Sequence, residues 1–594
     1  YDDDGTLVID RAGVREHLNS VTDYSGIIGL ITCDAFGDCG SQKITVIGHA
    51  DSTDVSASNA NVVYEYAPGG SSLGEGNLVV PAPVPLRGGT LRVGVEAETD
   101  GLNPTVNRFA NSAYQMAGAV FDSLAAWDEN GTAVPYLAES ITGSDDFMTW
   151  DVTLRPGIMF HDGTPVTSEA VLFAFQRQMV DPLISLAIKP MFPVDDPETD
   201  EYEPAENIDD LTTRFYLKRP TAQFASYLVG QLGLVASPTW LRASMDDPTL
   251  NQAPVGTGPF RMDSRDQDQM TRFVRNDDYW NGNAYLDAVE FYIYTDSEIA
   301  AEAVRVGDLD LLGTSNVDAI LSLREIEGLT LLEDDSGEEG FGMLNTAQAP
   351  FNDIRARKAL TYATPKQAYL DFIGQGVLRS ADSFFTPEHP FYNPDVVQEA
   401  DSPELATPLV AEYCADNPDE CTEGKINMEF QYSGPSVNQD RIFDILSDGW
   451  SDHFNITKDM LLQDDHITHV AIGLYDFVTW RQMGSPDPDV DALWLICEAI
   501  GFLSLNWPRY CDPARDELLF AQRASASEAI QAEVWREVVQ MINQDYTYII
   551  FNHTLWANAY SSSVQNVCAD KSPDGIALMC PVSGISGVRR LWIG

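Results

Sequence analysis

The stretch "TLRPGIMFHDGTPVTSEAVLFAF", Thr153 to Phe175, carries strand, turn and helix signals in immediate succession. Just before and into it, the alternation in "MTWDVTL" (148–154) puts Trp150, Val152 and Leu154 on one face of a strand. "RPG" and "HDGTP" come next, and both read as turns: proline fixes φ and glycine admits positive φ. Thr167 stands at an N-cap position, and Glu169 lies in the first helical turn, where the macrodipole favours an anion. Val171, Leu172, Phe175 and Met179 then form an apolar stripe at helical spacing. His161 and Asp162 therefore read as turn residues, with His161 hydrogen-bonded to nearby backbone, and not as a reactive site.

Outward from this unit the chain is long and strongly acidic. It has 594 residues, 44% of them hydrophobic, which suggests several domains. No apolar run reaches the roughly 18 residues of a membrane span. Lys and Arg number 35 against 91 Asp and Glu, a formal net charge of −56. Such a surface repels nucleic acid and anionic lipid, which excludes both as partners.

The eight cysteines fall into close pairs: Cys33 and Cys39, Cys414 and Cys421, Cys497 and Cys511, Cys568 and Cys580. None has the C-x-x-C spacing of a zinc ribbon or redox motif. Their loop-like surroundings point to local disulfides between neighbours, formed in an oxidising compartment. The opening "YDDDGTLVIDRAGVREHL" lacks the apolar core of a signal peptide. The expectation is an export signal already removed or a sequence that begins partway through a longer chain.

The usual catalytic signatures do not occur. No phosphate-binding G-x-x-x-x-G-K-[ST], H-E-x-x-H, G-x-S-x-G or strand-linked G-x-G-x-x-G is found. "DDHITH" (464–469) offers His466 and His469, which a helix could turn the same way, but Ile467 and Thr468 favour an extended segment that would send the two rings to opposite faces. Surface histidines are the expectation there, with no metal and no cofactor. With so many acids, paired carboxylates arise by accident, so none identifies a hydrolytic site.

Other segments have clear forms. "RAGVREHLNSV" reads as a short amphipathic helix, and "KITVIGH" and "NVVYEYA" as strands. "APGGSSLGEGNLVVPAPVPLRGG" is a linker, flexible and then stiffened by proline. Asp512 and Pro513 mark a helix start, and the next helix is expected to bury Ile530, Val534, Val538 and Ile542. "TYIIFN" (547–552) is a buried strand.

The strand-turn-helix unit, with "LRVGVEAETDGLNP", "VFDSLAAWDENGTAVPYLAESI", "GTGPFRM", "VRNDDYWNGNAYLDAVEFYIYTD", "VRVGDLDLL", "NTAQAPFNDIRARKALTYA" and "DPDVDALW" in that order, resembles extracellular solute-binding protein family 5. The resemblance covers about 87–594. It implies an α/β fold of two lobes, periplasmic-binding-protein-like type II with an extra subdomain, closing about a hinge. Lobe one would hold 87–340 plus 555–594 and lobe two 341–554, with crossings near Asn345 and Asn552. Residues 1–67 resemble the C-terminal fragment of a type I periplasmic binding protein, on "GIIGLITCDAFGDCG", "KITVIGH" and "VVYEYAPG", and 68–89 would be the linker. In that second family the segment carries a disulfide, here Cys33 with Cys39.

The resemblance also implies a function and a set of ligand contacts. The chain would be the substrate-binding protein of an ABC importer, taking an oligopeptide or other small organic solute and passing it to permease subunits. It would act outside the cytoplasmic membrane, periplasmic or at the cell surface, with a lipid anchor upstream of Tyr1 as one route of attachment. The loop "RFANSAY" gives Asn111, Ser112 and Tyr114 as lobe-one contacts, and the turn "TPEHPFYN" gives His389 and Phe391 in lobe two. "DFVTWRQMGSPDPDVDALW" adds Trp480, Arg481 and Gly484. Peptide receptors place an Asp shortly after this Trp to pair with the peptide's α-amino group. Here Arg481, Gln482, Met483 and Gly484 follow instead, and Arg481 either pairs with a ligand carboxylate or phosphate or turns to solvent or to one of the many local acids. A secreted hydrolase and an extracellular structural protein on the same fold are the competing readings.

Overall fold

The computed structural model describes residues 85–193, 204–582 and 584–594, together with four short strands nearer the N-terminus. Contacts divide the chain into Tyr1–Pro85 and Leu86–Gly594. In the first unit Tyr24–Gly26 pairs antiparallel with Gly29–Ile31, and Ile44–Ile47 with Val62–Tyr66. The latter pair are the strands expected from "KITVIGH" and "NVVYEYA". The helix expected at 11–21, Cys33, Cys39 and most of the 68–89 linker lie outside the described residues.

The second unit begins with β1 (Thr90–Val95) and α1 (Asn111–Val120). An antiparallel sheet follows, built from β2 (Ala138–Gly143), β3 (Thr149–Leu154), β4 (Ala205–Asn207) and β5 (Thr212–Tyr216) in the order β4-β5-β3-β2. Helix α2 (Ser168–Val180) leaves β3 through the two turns of the opening stretch. The chain then returns to β1 with β6 (Phe260–Asp266), β7 (Met270–Arg275), β8 (Ala288–Ile293), β9 (Leu311–Thr314) and β10 (Leu329–Asp334).

A second large sheet takes β11 (Glu339–Leu344), β12 (Arg379–Ser380), β13 (Cys421–Thr422), β14 (Lys425–Ser433), β15 (Phe454–Leu461), β16 (Phe477–Gln482) and β17 (Tyr548–His553). Its order is β12-β17-β11-β16-β14-β13, with β15 paired to β14. Around it lie α3 (Val437–Trp450), α4 (Gln463–Ile472), α5 (Pro513–Arg523) and α6 (Glu528–Asp545). Finally β18 (Trp556–Ser561) completes the first sheet, whose order is β6-β7-β8-β1-β9-β18-β10. The chain thus passes between the sheets twice, between Asp334 and Glu339 and between His553 and Trp556. The crossing expected near Asn345 is displaced: Asn345 follows β11, and its amide donates to Gly473 O and Tyr475 O within the second sheet's half.

The opening stretch forms as its pattern dictates, except that Leu172 is half-buried and stays outside the core. Trp150, Val152 and Leu154 are buried and pack in one core with Val171, Phe175 and Met179. The His161 imidazole donates from Nε2 to Gly258 O at 2.9 Å, and its backbone N–H donates to Gly256 O at 2.9 Å. Asp162 accepts from Thr164 N and Ser237 Oγ. Burial pushes the imidazole down to about 4, so it stays neutral. Thr167 occupies the N-cap position, yet its side chain makes no capping bond. The turn between β4 and β5 supplies partners there instead: Ser168 donates its N–H to Asp210 O and its hydroxyl to Asp209 O.

Three signatures from distant parts of the chain meet at Asp122, which is fully buried. Its carboxylate accepts from Thr257 Oγ1, Tyr279 OH and Trp280 Nε1, each at 2.9 Å. Gly256 and Gly258 let this loop lie on the end of α1, since a Cβ at Gly256 would stand 2.1 Å from Val120 O. The turn, the loop and α1 are therefore one tethered assembly.

Two helix expectations are corrected. "DDHITH" lies in α4, not in an extended segment, and His466 is buried against Trp480 where a surface histidine was expected. Gly473 at φ 77° closes the helix with its N–H on His469 O and Val470 O, and this C-cap outweighs the weak β preference of Ile467 and Thr468. On α6 Ile530 is exposed, and the buried face carries Ala532, Trp535, Val538, Val539 and Ile542. Steps of four residues advance about 40° per step on a 3.6-residue helix, so that stripe drifts off the core while Trp535 anchors it. Asp512 caps α5, accepting from Ala514 N and Arg515 N, and β17 is buried throughout. Disulfides join Cys414 to Cys421, Cys497 to Cys511 and Cys568 to Cys580.

Candidate functional site

β8, β1 and β9 run parallel, so their carboxyl ends open on one side of the first sheet. In open α/β sheets ligands bind outside such ends. Glu96 follows β1 and Ser315 follows β9. Glu96 Oε1 accepts from Thr314 Oγ1 at 2.7 Å and from Ser315 N at 2.9 Å. Helix α1 starts beside them: Ser112 Oγ accepts from Ala97 N at 3.2 Å.

Asn111, Ser112 and Tyr114 therefore sit in the first turn of a helix, not in the loop expected from "RFANSAY". Asn111 Oδ1 accepts from Gln115 Nε2 at 2.9 Å. Tyr114 packs edge-on to Phe109, and burial pushes its phenol up to about 12.

On the second sheet, Trp480 and Arg481 belong to the regular strand β16, paired with Phe341 and Gly340 of β11. Strand alternation sends neighbouring side chains to opposite faces. Trp480 joins the face holding Trp507, at 4.6 Å between rings, and His466, at 5.3 Å. Arg481 joins the other face and reaches the first sheet. Its Nε lies 2.7 Å from Glu338 Oε2, its Nη1 donates to Ser315 Oγ, and its guanidinium lies over the Trp556 ring at 5.0 Å. Although side chains from both sheets surround it, 41% of its side-chain surface remains exposed. Arg481 thus keeps an exposed edge while already paired with a carboxylate.

Beyond β16, Met483 and Gly484 turn the chain with φ of 70° and 92°. A Cβ at Gly484 would stand 2.8 Å from Gly337 C, so this glycine packs on the backbone of the first crossing. The "DPD" turn then joins the halves. Asp487 Oδ2 accepts from Ser226 Oγ at 2.6 Å, and Asp489 accepts from Tyr227 OH, Gln522 Nε2 and Arg523 Nε. Burial and the nearby Asp489 push the Asp487 carboxyl up to about 7, and burial pushes Asp491 up to about 6.

His389 and Phe391 lie elsewhere. The His389 ring stacks on Phe385 at 4.7 Å, and its Nδ1 accepts from Phe391 N. Phe385 also meets Trp535, and Arg536 donates to Pro390 O and Tyr392 O. This turn is fastened to α6 and joins the core there. Burial pushes His389 down to about 4.

Sequence reasoning missed Glu96, Ser315, Glu338 and Trp556, which the fold gathers around Arg481 from four separate segments. A usable signal was their place at strand ends and crossings. Among the described residues no group of three or more His, Cys, Asp or Glu side chains is arranged to hold a metal ion.

This geometry, two α/β halves joined by two crossings, agrees with comparison to known proteins. Residues 132–500 match the model of the bacterial extracellular solute-binding proteins, family 5. The chain belongs to this family. Its members are solute-binding proteins, not enzymes, and the family is extracytoplasmic. Di/tripeptide-binding protein 2 of Pseudomonas aeruginosa is 26% identical over 497 residues, covering 80% of this chain and 91% of that protein. Heme-binding protein A of Haemophilus influenzae is 30% identical over 329 residues, covering 52% of this chain and 59% of that protein. Among solved structures, the ABC transporter-associated periplasmic binding protein DppA from Helicobacter pylori, in complex with the peptide STSA, has a TM-score of 0.74 at 20% identity, covering 86% of this chain and 98% of that one. AgaA from A. tumefacien R10, in complex with agropinic acid, has a TM-score of 0.72 at 21% identity, covering 85% and 99%. These likenesses establish the two-lobed family 5 fold.

Proposed function

We propose that this chain is the extracytoplasmic substrate-binding protein of an ABC importer, capturing a peptide-like or other small organic solute between its two lobes for delivery to permease subunits. The observation that carries the reading is Arg481, which stands on the second sheet, touches Ser315 and Trp556 of the first, and keeps an open edge. A ligand at that edge touches both halves at once and so favours the form in which they meet. The relatives named for di- and tripeptides supply the solute class.

In this reading lobe one runs from 87 to the first crossing, between Asp334 and Glu339, and takes back 555–594, and lobe two lies between the two crossings. Asn111, Ser112 and Tyr114 approach the ligand from α1, and Trp480, Arg481 and Gly484 from β16 and its turn. His389 and Phe391 support lobe two from the α6 side.

The test is a thermal-shift screen of the whole chain against di- and tripeptides, sugars, opines and metal chelates, with each ligand assayed afterwards by mass spectrometry. A receptor gains melting temperature from a subset and returns it intact. Consumption of the ligand would mean a hydrolase. Self-assembly without any ligand response would mean a structural protein.

A further inference from the structure

Two stretches of the chain run through both sheets as one antiparallel ribbon. β10 pairs with β18 as far as Asp334 opposite Trp556, and β11 pairs with β17 from Glu339 opposite His553. Between these ladders 335–338 stand opposite 554–555, so the first stretch takes the longer path. Glu338 O accepts from Thr554 N at 2.8 Å, which extends the second ladder by one step and leaves the surplus at Asp335, Ser336 and Gly337. Surplus residues on one strand of a ribbon form a bulge, and a bulge bends the strand that carries it. The two crossings are thus not independent tethers. They form one ribbon bent at one place, and rotation of the halves must be absorbed there.

The bulge is held from both sides. Ser336 donates its N–H and its hydroxyl to Asp334 Oδ1, at the end of the first sheet's strand. From the second sheet's half, Gly484 lies against Gly337. Arg379 of β12, the register partner of His553, reaches Asp335. Its Nη2 donates to Oδ1 at 3.0 Å, and its Nε lies 2.9 Å from Oδ2. The remaining Nη1 donates at 2.7 Å to Glu388 Oε2, in the turn that carries His389, and this second acid steadies the guanidinium as it faces the bulge. A guanidinium that meets both oxygens of a carboxylate fixes direction as well as distance, whereas a lysine ammonium fixes distance alone. Asp335 directly follows the last residue of β10, and Arg379 belongs to the second sheet, so the direction of this fork is tied to the angle between the halves.

We infer that Arg379 is the positioning residue of the hinge: its fork on Asp335 fixes the bend of the ribbon at the bulge and so sets how far apart the halves stand before any solute arrives. This deepens the receptor reading and rests on it for the motion. It also gives the "TPEHPFYN" turn a task at the hinge through Glu388.

The test uses the whole chain without ligand. Spin labels at Ile299→Cys in the first half and Leu462→Cys in the second, both exposed in the wild type, report the distance between the halves by pulsed dipolar spectroscopy. Arg379→Lys keeps the charge and loses the fork, and Asp335→Asn keeps the size and loses the charge. Each should raise the population at longer distances about fivefold. A half-exposed ion pair adds little to global stability, so the melting temperature should move by no more than about 2 °C. Arg324→Lys is the control. Arg324 holds Glu333 of the same ribbon with the same kind of fork, at 2.7 and 2.8 Å, but both partners lie in the first half, and its distances should match the wild type.

Distances that Arg379→Lys and Asp335→Asn leave unchanged, or that Arg324→Lys changes equally, would overturn the assignment. Longer distances that appear only with a large loss of melting temperature would overturn it too, since the pair would then hold the fold and not the angle. No solute enters the measurement, so its failure leaves capture between the halves standing, and the thermal-shift screen decides that separately.

Discussion

Arg523 Nε lies 2.9 Å from both carboxylate oxygens of Asp489, and both side chains are buried. Tyr227, from the segment that follows the four-stranded sheet, adds its hydroxyl to the same carboxylate at 2.9 Å. Buried ion pairs are costly to break from one side, because the surviving charge has no water to replace its partner. Arg523→Ala should therefore lose about 3–5 kcal/mol of stability in urea unfolding. Replacing Arg523 and Asp489 together by apolar residues should cost less than the single change.

Tyr227→Phe removes one donor from Asp489 and one contact between the two halves, while keeping the ring in its core. The expected loss is about 1–3 kcal/mol, seen as a lower melting temperature. Because the contact joins the halves, ligand affinity should also fall several-fold in calorimetry. An unchanged affinity would separate the DPD turn from closure.

The pH dependence has two opposed parts. Burial holds His161 and His389 down at about 4 against an ordinary 6.5. Below 6.5 the unfolded chain binds protons that the folded one refuses, so this stability is lost as pH falls from 6.5 to 4. Asp487, pushed up to about 7 against 3.8, has the opposite sign: the folded form keeps its proton where the unfolded form is ionised, and stability falls as pH rises through that window. Asp487→Asn should thus gain about 3 kcal/mol relative to wild type as pH rises from 4 to 7. His161→Gln should flatten the acid side. Melting curves across pH 4–8 check both signs.

Gly484→Ala should cost about 1–3 kcal/mol, since the residue holds φ at 92° and a Cβ there meets the backbone of Gly337 and Glu338. The same substitution at Gly282, also at positive φ but with open space around it, is the control for backbone strain alone. A larger loss at Gly484 than at Gly282 identifies packing on the crossing as the cause.

Opening the Cys497–Cys511 bond, which closes a separation of 14 residues, should cost about 3 kcal/mol by loop closure. The loop carries Trp507, which packs on Trp480. A paired Cys497→Ser and Cys511→Ser variant should therefore shift tryptophan emission as well as the unfolding midpoint.

Local chemistry made the opening stretch legible. Strand alternation, Gly163 at positive φ and the α2 stripe each needed only neighbours in sequence. The ordered signatures carried the family, and the structure explains why: several of them close on one carboxylate, Asp122. The site was less legible. Trp480 and Arg481 read as two ligand contacts of one segment, but β16 is a strand and sends them to opposite faces. Glu96, Ser315, Glu338 and Trp556 come from segments far apart in the chain, and no periodicity links them. "DDHITH" misled because a glycine just past the segment, not its own propensities, set its form.

Trp556 and Arg481 stand on different sheets, so the 5.0 Å between them is set by how the two halves are placed. A guanidinium over an indole alters its emission. The pair is thus a built-in optical gauge: the first sheet carries the lamp, the second carries the shutter, and fluorescence of a chain keeping only Trp556 would follow the approach of the halves in real time without any added dye.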